Sequence, residues 1–260
     1  MREEPLEQQL ADLAVDAPAD LIDRIVARWV TVESPIGELF VAYTDHGIAY
    51  VRRHGAEAAE EFRRRFQRPL VRAPRPPAGL VSALRRGRSS TLTFDLRGLS
   101  DFQVAVLRAT RTIPRGEVRP YAWIAQKINR PRAVRAVGTA LATNPVPVLI
   151  PCHRVVRSDG SPGEYIFGAE VKHRLLHDEG TNLEELHTLA RRGIFYVASD
   201  TTGIVCHPTC RHARRITPPH RKGFRTFAEA AAAGYRPCQH CQPAPAVATP
   251  APGLSRDEER

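Results

Sequence analysis

The chain has 260 residues, enough for two or three domains with separate cores, and its 38 basic and 28 acidic residues give a formal net charge of +10 at pH 7. That charge is typical of a protein that meets a polyanion, although a coding bias toward arginine would give the same excess. No apolar stretch approaches the roughly 20 residues that span a bilayer, and the first residues lack a signal-peptide pattern, so we expect a soluble cytoplasmic protein without membrane contacts.

The first part of the sequence predicts a helical extension followed by a small α/β domain. Leucines and isoleucines over residues 1–28 form a broken helical pattern, to which we assign no function. Apolar and polar residues alternate over 31–51, which predicts two strands about a turn at Asp45-His46-Gly47. A charged helix at Ala56–Phe66 and a proline-rich loop at Pro69–Pro77 follow.

The middle of the chain predicts a helix-turn-helix. A helix over Phe102–Ile113 is broken by Pro114-Arg115-Gly116, and a short amphipathic helix follows at Tyr121–Ile128. After a turn at Asn129-Arg130, a second helix over Pro131–Thr143 contains many small residues: Ala133, Ala136, Gly138, Ala140 and Ala142. From the pattern alone, close helix packing explains these small residues as well as nucleic-acid contact does.

The next segment is apolar and interrupted by prolines, and it places a cysteine in the predicted core. The run is Asn144-Pro145-Val146-Pro147-Val148-Leu149-Ile150-Pro151-Cys152-His153-Arg154-Val155-Val156. A buried structural cysteine is the commoner case, but such a site has no use for His153 and Arg154. A neighbouring histidine or cation favours the thiolate, which is the strongest side-chain nucleophile. We therefore predict that Cys152 is a nucleophile.

The motif Asn-Pro-x-Pro-x-x-x-Pro-Cys-His-Arg-Val resembles the signature of the O6-alkylguanine-DNA alkyltransferases, or methylated-DNA–protein-cysteine methyltransferases. The resemblance runs from about Trp29 to Leu183 and includes Ser34–Leu39, Arg115–Val118 and Lys172–Gly180. It implies an α/β plus α fold class, with a ribonuclease-H-like domain at residues 29–93 and a winged-helix-like helix-turn-helix alkyltransferase domain at 94–184.

The same resemblance implies a single-turnover, self-inactivating enzyme. Its partner would be double-stranded DNA carrying O6-alkylguanine, with O4-methylthymine as a further substrate, and it would act as a monomer without a nucleotide cofactor. Cys152 would accept the alkyl group irreversibly, while Tyr121 donates a proton or hydrogen bond to guanine N3. His153, oriented by Glu179, would act through a bridging water, because neighbouring residues of an extended segment point to opposite sides. Asn144 would fix the hinge before the cysteine and orient the thiolate.

The resemblance also implies a DNA-contacting helix and a pocket for an extruded base. Arg135 would fill the gap left in the base stack, and Ala136 and Gly138 would let the helix approach the minor groove. The remaining candidates are expected to line the base pocket: the Val155 backbone, Tyr165, Ile166 and Phe167. The bulk of the last two should narrow the pocket, favouring methyl over benzyl-sized adducts.

The other four cysteines lie together near the carboxyl end. After a polar helix at 184–192 and a strand at Ile194–Ala198, Cys206-x-x-x-Cys210 and Cys238-x-x-Cys241 stand 27 residues apart. Two close pairs of soft ligands are typical of tetrahedral zinc, and thiols used in this way suit a reducing compartment. Histidines 207, 212, 220 and 240 are possible substitutes with poorer spacing. We predict a small zinc-binding α/β module at 185–244 and a disordered tail at 245–260.

The segments Thr202–Cys210 and Ala233–Pro243 resemble the Ada-type zinc domain. In that family the first cysteine, here Cys206, is both a zinc ligand and the acceptor of methyl from a backbone methylphosphotriester. The chain departs from the pattern at His207, where the family usually has arginine. It also has no predicted AraC-like helices after the module, so we do not expect transcriptional activation.

Two functions remain open from the sequence. One is a bifunctional repair methyltransferase that uses Cys152 on bases and Cys206 on phosphotriesters. The alternative is a damage-sensing DNA-binding regulator in which the zinc module only binds DNA. The presence of a methyl group on each of the two thiols after exposure to damaged DNA separates these functions.

Overall fold

The computed structural model describes residues 25–87 and 89–243 and divides the chain into two compact units at the Arg97–Gly98 peptide bond. Most of the predicted extension at 1–28 and the whole predicted tail at 245–260 lie outside the described residues.

The first unit is built on a four-stranded sheet with strand order β3-β2-β1-β4. An antiparallel meander is followed by a short strand parallel to β1: β1 Ala27–Ser34, β2 Gly37–Thr44, β3 Gly47–Arg53 and β4 Leu70–Arg72. Two helices complete the unit, α1 at Ala56–Phe66 and α2 at Leu80–Arg86. A core of aromatic rings lies between the sheet and α1, with Tyr50 edge-on to Phe62 at a centroid distance of 5.7 Å.

The prediction for this unit is right for α1 and incomplete for the strands. The two expected strands over 31–51 are three, because the chain also turns at Pro35-Ile36, where the Ser34 hydroxyl accepts from the Ile36 N–H and donates to the Gly37 carbonyl. The expected loop at Pro69–Pro77 contains β4, whose three residues are too few to give an alternating pattern.

The second unit combines helices with two small sheets. Its helices are α3 Asp101–Arg111, α4 Tyr121–Lys127, α5 Val134–Ala142, α6 Ala169–Asp178, α7 Leu183–Arg191 and α8 Phe227–Ala232. One sheet is a parallel pair, β5 Arg119–Pro120 and β6 Val155–Val156. The other has order β10-β8-β7-β9 and consists of β7 Tyr196–Ser199, β8 Ile204–Cys206, β9 Arg221–Phe224 and β10 Arg236–Pro237.

Helices α3, α4 and α5 pack together, and α5 begins later than predicted. Pro131 is not the first helical residue, since α5 starts at Val134. The residues before it are used to close α4: Asn129 takes a left-handed conformation with φ 57°, the Arg130 N–H donates to Ala125, and the Ala133 N–H donates to the Arg130 carbonyl. The turn is therefore longer than two residues.

The end of α6 fixes Glu179 in space. Gly180 adopts φ +78°, its N–H donates to the His177 carbonyl, and the Thr181 N–H donates to the Leu176 carbonyl. This is a Schellman ending, which glycine favours because it adopts a left-handed conformation without a Cβ penalty. Glu179, as the residue before the glycine, is held in the αR conformation at the helix end.

A second glycine brings the loop before β5 against that same helix end. Gly116 has φ +77°, and a Cβ placed on it would lie 2.8 Å from the Glu179 carbonyl oxygen. The close approach of these two backbones therefore requires both the left-handed conformation and the absence of a side chain.

We expect Gly116→Ala to destabilise the second unit more than Gly193→Ala does. Gly193 has a similar φ of +69° but nothing within 4 Å of an added Cβ. The control substitution should therefore cost only the left-handed strain of about 1–2 kcal/mol. Gly116→Ala should add about 1–3 kcal/mol for the displaced Glu179 backbone. Urea unfolding of both variants measures the difference, and equal losses would contradict the close approach.

Candidate active site and metal centre

Cys152 lies in a rigid, buried turn rather than in the extended segment expected from the sequence. Residues Cys152–Arg154 form a single 3₁₀ turn, and the cysteine is 5% exposed. Asn144 holds the segment that precedes the turn: its amide nitrogen donates to Cys152 Sγ at 3.2 Å and to the Ile150 carbonyl at 3.1 Å, while its amide oxygen accepts from the Val146 N–H. One buried side chain thus fixes both the loop and the sulfur.

A buried carboxylate joins the two residues that follow the cysteine. Glu179 Oε1 lies 3.0 Å from His153 Nε2, and Arg154 donates to both Glu179 oxygens at 2.7 and 2.8 Å. A third donor on Arg154 reaches the Ile113 carbonyl at 2.8 Å. Burial acts to raise the pKa of Glu179, but the hydrogen bonds from His153 and Arg154 outweigh it and lower that pKa to about 2. Glu179 is therefore an anion balanced by Arg154.

This arrangement also fixes the proton on His153. Burial lowers the pKa of His153, so the ring is neutral. Because the carboxylate of Glu179 can only accept, the ring hydrogen lies on Nε2 and the lone pair lies on Nδ1. Nδ1 is buried and has no hydrogen-bond partner among the described residues. The histidine is therefore a neutral ring with an available acceptor atom.

A cleft of about 650 Å³ opens onto the cysteine. It brings together the turn, the start of α4, one side of α5 and the loop after β6, and its lining includes Cys152, Tyr121, Arg135, Gly138, Arg157, Glu164, Tyr165 and Ile166. Residues from all three sets predicted for catalysis, DNA contact and the base pocket therefore share one concave surface.

Six of the predicted residues are outside this lining, and three of them, His153, Glu179 and Asn144, form the hydrogen bonds around Cys152 described above. The other three are Ala136, Phe167 and Val155. Ala136 is exposed on α5 next to Arg135. Phe167 contacts the cleft residue Tyr165 edge-on, with ring centroids 5.6 Å apart. Val155 is buried, and its carbonyl oxygen accepts from Lys172 Nζ at 2.6 Å.

Tyr121 stands at the cleft with its hydroxyl group protonated. Burial is the main cause that raises the pKa of Tyr121, and the nearby Cys152 acts in the same direction. A Cβ on Gly163 would lie 3.2 Å from the Tyr121 hydroxyl oxygen, so the glycine lets the loop after β6 pass close to this side chain.

Sequence reasoning overlooked Lys172 as a site residue. It is completely buried on α6, where burial lowers its pKa to about 8, and its ammonium group ties the Val155 and Glu164 carbonyls to the helix. Its position between Val171 and the leucines at 175 and 176 was the available signal, because a lysine within an apolar helix face needs buried acceptors.

The four predicted metal ligands converge in the second unit. The sulfur atoms of Cys206, Cys210, Cys238 and Cys241 lie within 4.8 Å of one another, and all four residues are buried. Four soft, converging thiolate donors fit zinc. Of the four histidines expected as possible substitutes, His240 lies 2.9 Å from Glu117 and forms a second group of close ligand atoms with Glu117 and Cys210. The other three contact other side chains: His207 packs on Tyr196, His212 on His240, and His220 binds Asp200.

A second cleft of about 460 Å³ lies beside the metal site. Its lining includes Cys206 and Cys238 together with two basic side chains, Arg215 and Arg236. Both arginines are exposed, so the cleft presents positive charge next to two of the predicted metal ligands.

None of the helices in the described ranges is both long and apolar enough to traverse a membrane.

Comparison with known proteins identifies both parts of the second unit. The family model described as the DNA-binding domain of 6-O-methylguanine DNA methyltransferase matches residues 101–181, and the metal-binding domain of Ada matches residues 188–244. A methylated-DNA–protein-cysteine methyltransferase of Mycolicibacterium paratuberculosis is 37% identical over 170 residues, covering 64% of this chain and 96% of the relative. A methyltransferase of the same name from Methanosarcina barkeri is 36% identical over 161 residues, which cover 58% of this chain and 96% of the relative. The chain therefore belongs to the methylated-DNA–protein-cysteine methyltransferase family.

A longer relative and a solved structure complete the comparison. The bifunctional transcriptional activator/DNA repair enzyme Ada of Escherichia coli is 34% identical over 62% of this chain, which spans only 48% of Ada's length. A crystal structure of Mycobacterium tuberculosis OGT in complex with DNA is 30% identical with a TM-score of 0.49, covering 62% of this chain and 98% of that one. Zinc is the cofactor of the Ada-type module, and the four clustered cysteines have the geometry of a site for a metal ion.

We expect Glu179→Gln to remove part of the acid sensitivity of the second unit. The pKa of Glu179 is about 2 in the fold against an ordinary value of 4.5, so its stabilisation is complete above pH 4.5 and is lost as the pH falls toward 2. The linkage amounts to at most about 3 kcal/mol. Urea unfolding of the unsubstituted protein and of Glu179→Gln at pH 7 and about pH 3 measures this contribution. Acid releases metal from both proteins, so that effect cancels in the comparison. Parallel pH dependences would contradict a charged Glu179.

Proposed function

We propose that this protein repairs DNA by moving an alkyl group from guanine O6 irreversibly to Cys152. The observation that carries the proposal is the cleft that Cys152, Tyr121 and Arg135 line together, with the hydrogen-bonded His153–Glu179 pair beginning at the residue after Cys152. Family membership supports DNA as the partner. Double-stranded DNA with alkylated guanine, O4-methylthymine as a further substrate, action as a monomer and independence of nucleotide cofactors are parts of the same proposal.

The proposal includes a fold type for the first unit and for the helical part of the second. The sheet and helices of the first unit are consistent with a ribonuclease-H-like domain that serves as a scaffold. Helices α3–α5 together with the β5–β6 pair are consistent with a winged-helix-like helix-turn-helix, with α5 as the DNA-contacting helix. Its exposed side carries Arg135, Ala136 and Thr139, which combine one cation with short side chains.

The base must leave the duplex before it can react. Guanine O6 lies on the pairing edge, so the nucleotide is extruded into the cleft at a cost of a few kcal/mol. Arg135 fills the space vacated in the stack, while the small residues of α5 allow the backbone to approach the groove. Ile166 in the cleft wall restricts large adducts, whereas Phe167 acts only through Tyr165.

Transfer forms one bond and breaks one. The Cys152 sulfur attacks the alkyl carbon, a carbon–sulfur bond forms, and the bond from that carbon to guanine O6 breaks with its electron pair leaving on the base. The thiol proton passes through a water to His153 Nδ1, and Glu179 stabilises the resulting imidazolium. Tyr121 donates to guanine N3 and so neutralises the departing base, while Asn144 keeps the sulfur in place. The thioether is permanent, so each molecule reacts once.

Methylation of Cys152 tests the base-repair proposal. After incubation with DNA containing O6-methylguanine, peptide mass spectrometry should find one added CH₂ group on Cys152, with one repaired base per molecule. Cys152→Ser should abolish repair, and Tyr121→Phe should slow it roughly 10²–10⁴-fold, as expected for loss of a general acid. Repair that persists in Cys152→Ser would contradict the proposal.

A second acceptor function is favoured by the cleft beside the metal site. A backbone methylphosphotriester is a phosphate that has lost its charge, flanked by charged phosphates that Arg215 and Arg236 could bind. Bound zinc would keep the four cysteines deprotonated at neutral pH. We propose that Cys206 takes the methyl group, forming a carbon–sulfur bond and releasing a phosphodiester anion. The loss of one negative charge at the cluster then strengthens DNA binding.

One experiment distinguishes methyl acceptance by Cys206 from the alternative, a regulator in which the module only binds DNA. In a Cys152→Ser background, DNA with a methylphosphotriester should add one CH₂ group to Cys206, and binding to unmodified DNA should then tighten. Unmodified Cys206 in protein that retains its metal and binds DNA would favour the alternative. Arg236→Gln should weaken DNA binding and reduce its salt dependence, because one phosphate contact is lost.

A further inference from the structure

The metal-binding loops are bonded to the cleft-bearing part of the second unit by residues adjacent to the cysteine ligands. Thr209 precedes Cys210, and its hydroxyl group accepts from the Val118 N–H at 3.0 Å and donates to the Val118 carbonyl at 3.2 Å. Both residues are buried. This reciprocal pair fixes the first ligand loop against the strand that leads to Tyr121.

A tryptophan holds the second ligand loop. Trp123 Nε1 donates to the carbonyl oxygens of Cys241 at 2.9 Å and of Gln242 at 3.0 Å. Trp123 lies on α4 two residues after Tyr121 and is 6% exposed. The indole therefore binds the backbone of a metal ligand from the helix whose first residue stands in the cleft.

A buried carboxylate joins both loops. Glu117 Oε1 accepts from the Arg211 N–H at 3.1 Å and lies 2.9 Å from His240 Nε2, while Oε2 accepts from Arg119. Arg211 follows Cys210 and His240 precedes Cys241, so one side chain meets a neighbour of a ligand from each pair. Glu117 and Arg119 are each 1% exposed, and a buried charge of this kind requires its partners.

The other side of the same segment meets the alkyl-transfer site. Gly116 lies against the Glu179 backbone, and Glu179 binds His153. Arg119 and Pro120 pair with Val155 and Val156, directly after the turn that holds Cys152. The next residue is Tyr121. Residues 116–123, which we call the junction, therefore contact the metal loops on one side and the Glu179 backbone and β6 on the other, and they include the cleft residue Tyr121.

We propose that the four-cysteine metal centre positions the alkyl-transfer cleft through the junction, so that metal occupancy sets the rate at which Cys152 reacts. Trp123 and Glu117 are positioning residues in this scheme. The inference rests on the proposed function of Cys152 and is independent of methyl acceptance by Cys206.

Around the metal site, the packing of the ligand loops depends largely on the ligands themselves. The sheet formed by β7–β10 is small, and the hydrophobic cluster around the site consists largely of the four cysteines. Metal binding to such a module supplies much of its folding free energy. Without the metal, the loops that carry Thr209, His240 and Cys241 lose their common anchor, and the junction loses its fixed partners. Displacing a reacting group by about 1 Å can slow a reaction roughly 10²-fold.

The first measurement uses tryptophan fluorescence as a readout that does not depend on activity. The chain has two tryptophans, so Trp29→Phe leaves Trp123 as the sole emitter. Removal of zinc by a chelator should shift the emission of Trp123 to longer wavelength as its carbonyl partners and burial are lost, and re-addition of zinc should restore it. An unchanged spectrum in protein shown to be metal-free would overturn the inference.

The second measurement compares rates of Cys152 methylation in the full chain with saturating O6-methylguanine DNA. Zinc removal should slow transfer at least roughly tenfold, the lower end of the effect of outer-shell contacts. Trp123→Phe and Glu117→Gln should retain bound zinc and DNA affinity yet slow transfer, and zinc removal should then add little. Lys127→Gln is the matched control, because it removes an exposed contact to Gln242 at the same surface.

The outcomes distinguish the two proposals. If no form of the protein methylates Cys152, the proposed function fails. If the zinc-loaded and zinc-free proteins react at the same rate, or if Trp123→Phe and Glu117→Gln both behave like Lys127→Gln, Cys152 remains an acceptor and the coupling fails. If the Trp123→Phe protein loses its metal, the rate of Cys152 methylation in Glu117→Gln decides whether the coupling exists.

Discussion

The buried carboxylate of Glu179 is the interaction on which the reactive site depends. Removed from water, it is tolerable only because Arg154 binds it through two hydrogen bonds and His153 through a third. These bonds tie the end of α6 to the turn that begins at Cys152. The same carboxylate accepts the ring hydrogen on His153 Nε2, which leaves Nδ1 as the acceptor atom of the ring. The Glu179 anion therefore decides which nitrogen of His153 is the acceptor.

Glu117, which follows Gly116 in the junction, repeats this arrangement. Both glutamates are buried, both pair with an arginine and a histidine, and each joins segments distant in sequence. Because an unpaired buried charge is costly, each pair restricts the chain to one arrangement of its partners. Glu117 adjoins Gly116, which contacts the Glu179 backbone, so the hydrogen bonds of the metal loops and those of the Cys152 turn meet at neighbouring residues.

The sequence predicts well those features that depend on residues close to one another in the chain. The helix Ala56–Phe66 follows from its periodicity, and the convergence of the four cysteines follows from two close pairs. The predicted start of α5 was wrong and one strand of the first sheet was missed, because both depend on turns whose few residues show no periodic pattern. The junction was beyond prediction: Val118 and Thr209 are 91 residues apart, and Trp123 and Cys241 are 118 apart. Such pairs are set by docking, which leaves no local pattern. Lys172 was overlooked although its apolar neighbours gave a signal.

A nucleophile that is used once can be built differently from one that turns over. A cysteine that must release its product needs access for a second reactant and room for an intermediate to leave. Cys152 needs neither if the thioether is its end state, so it can be 5% exposed, held by Asn144 and enclosed in a rigid turn. Rigidity of this kind improves positioning without slowing any later step. It also makes the site sensitive to whatever holds its surroundings, which in this chain includes a second cysteine cluster bonded to the same segment.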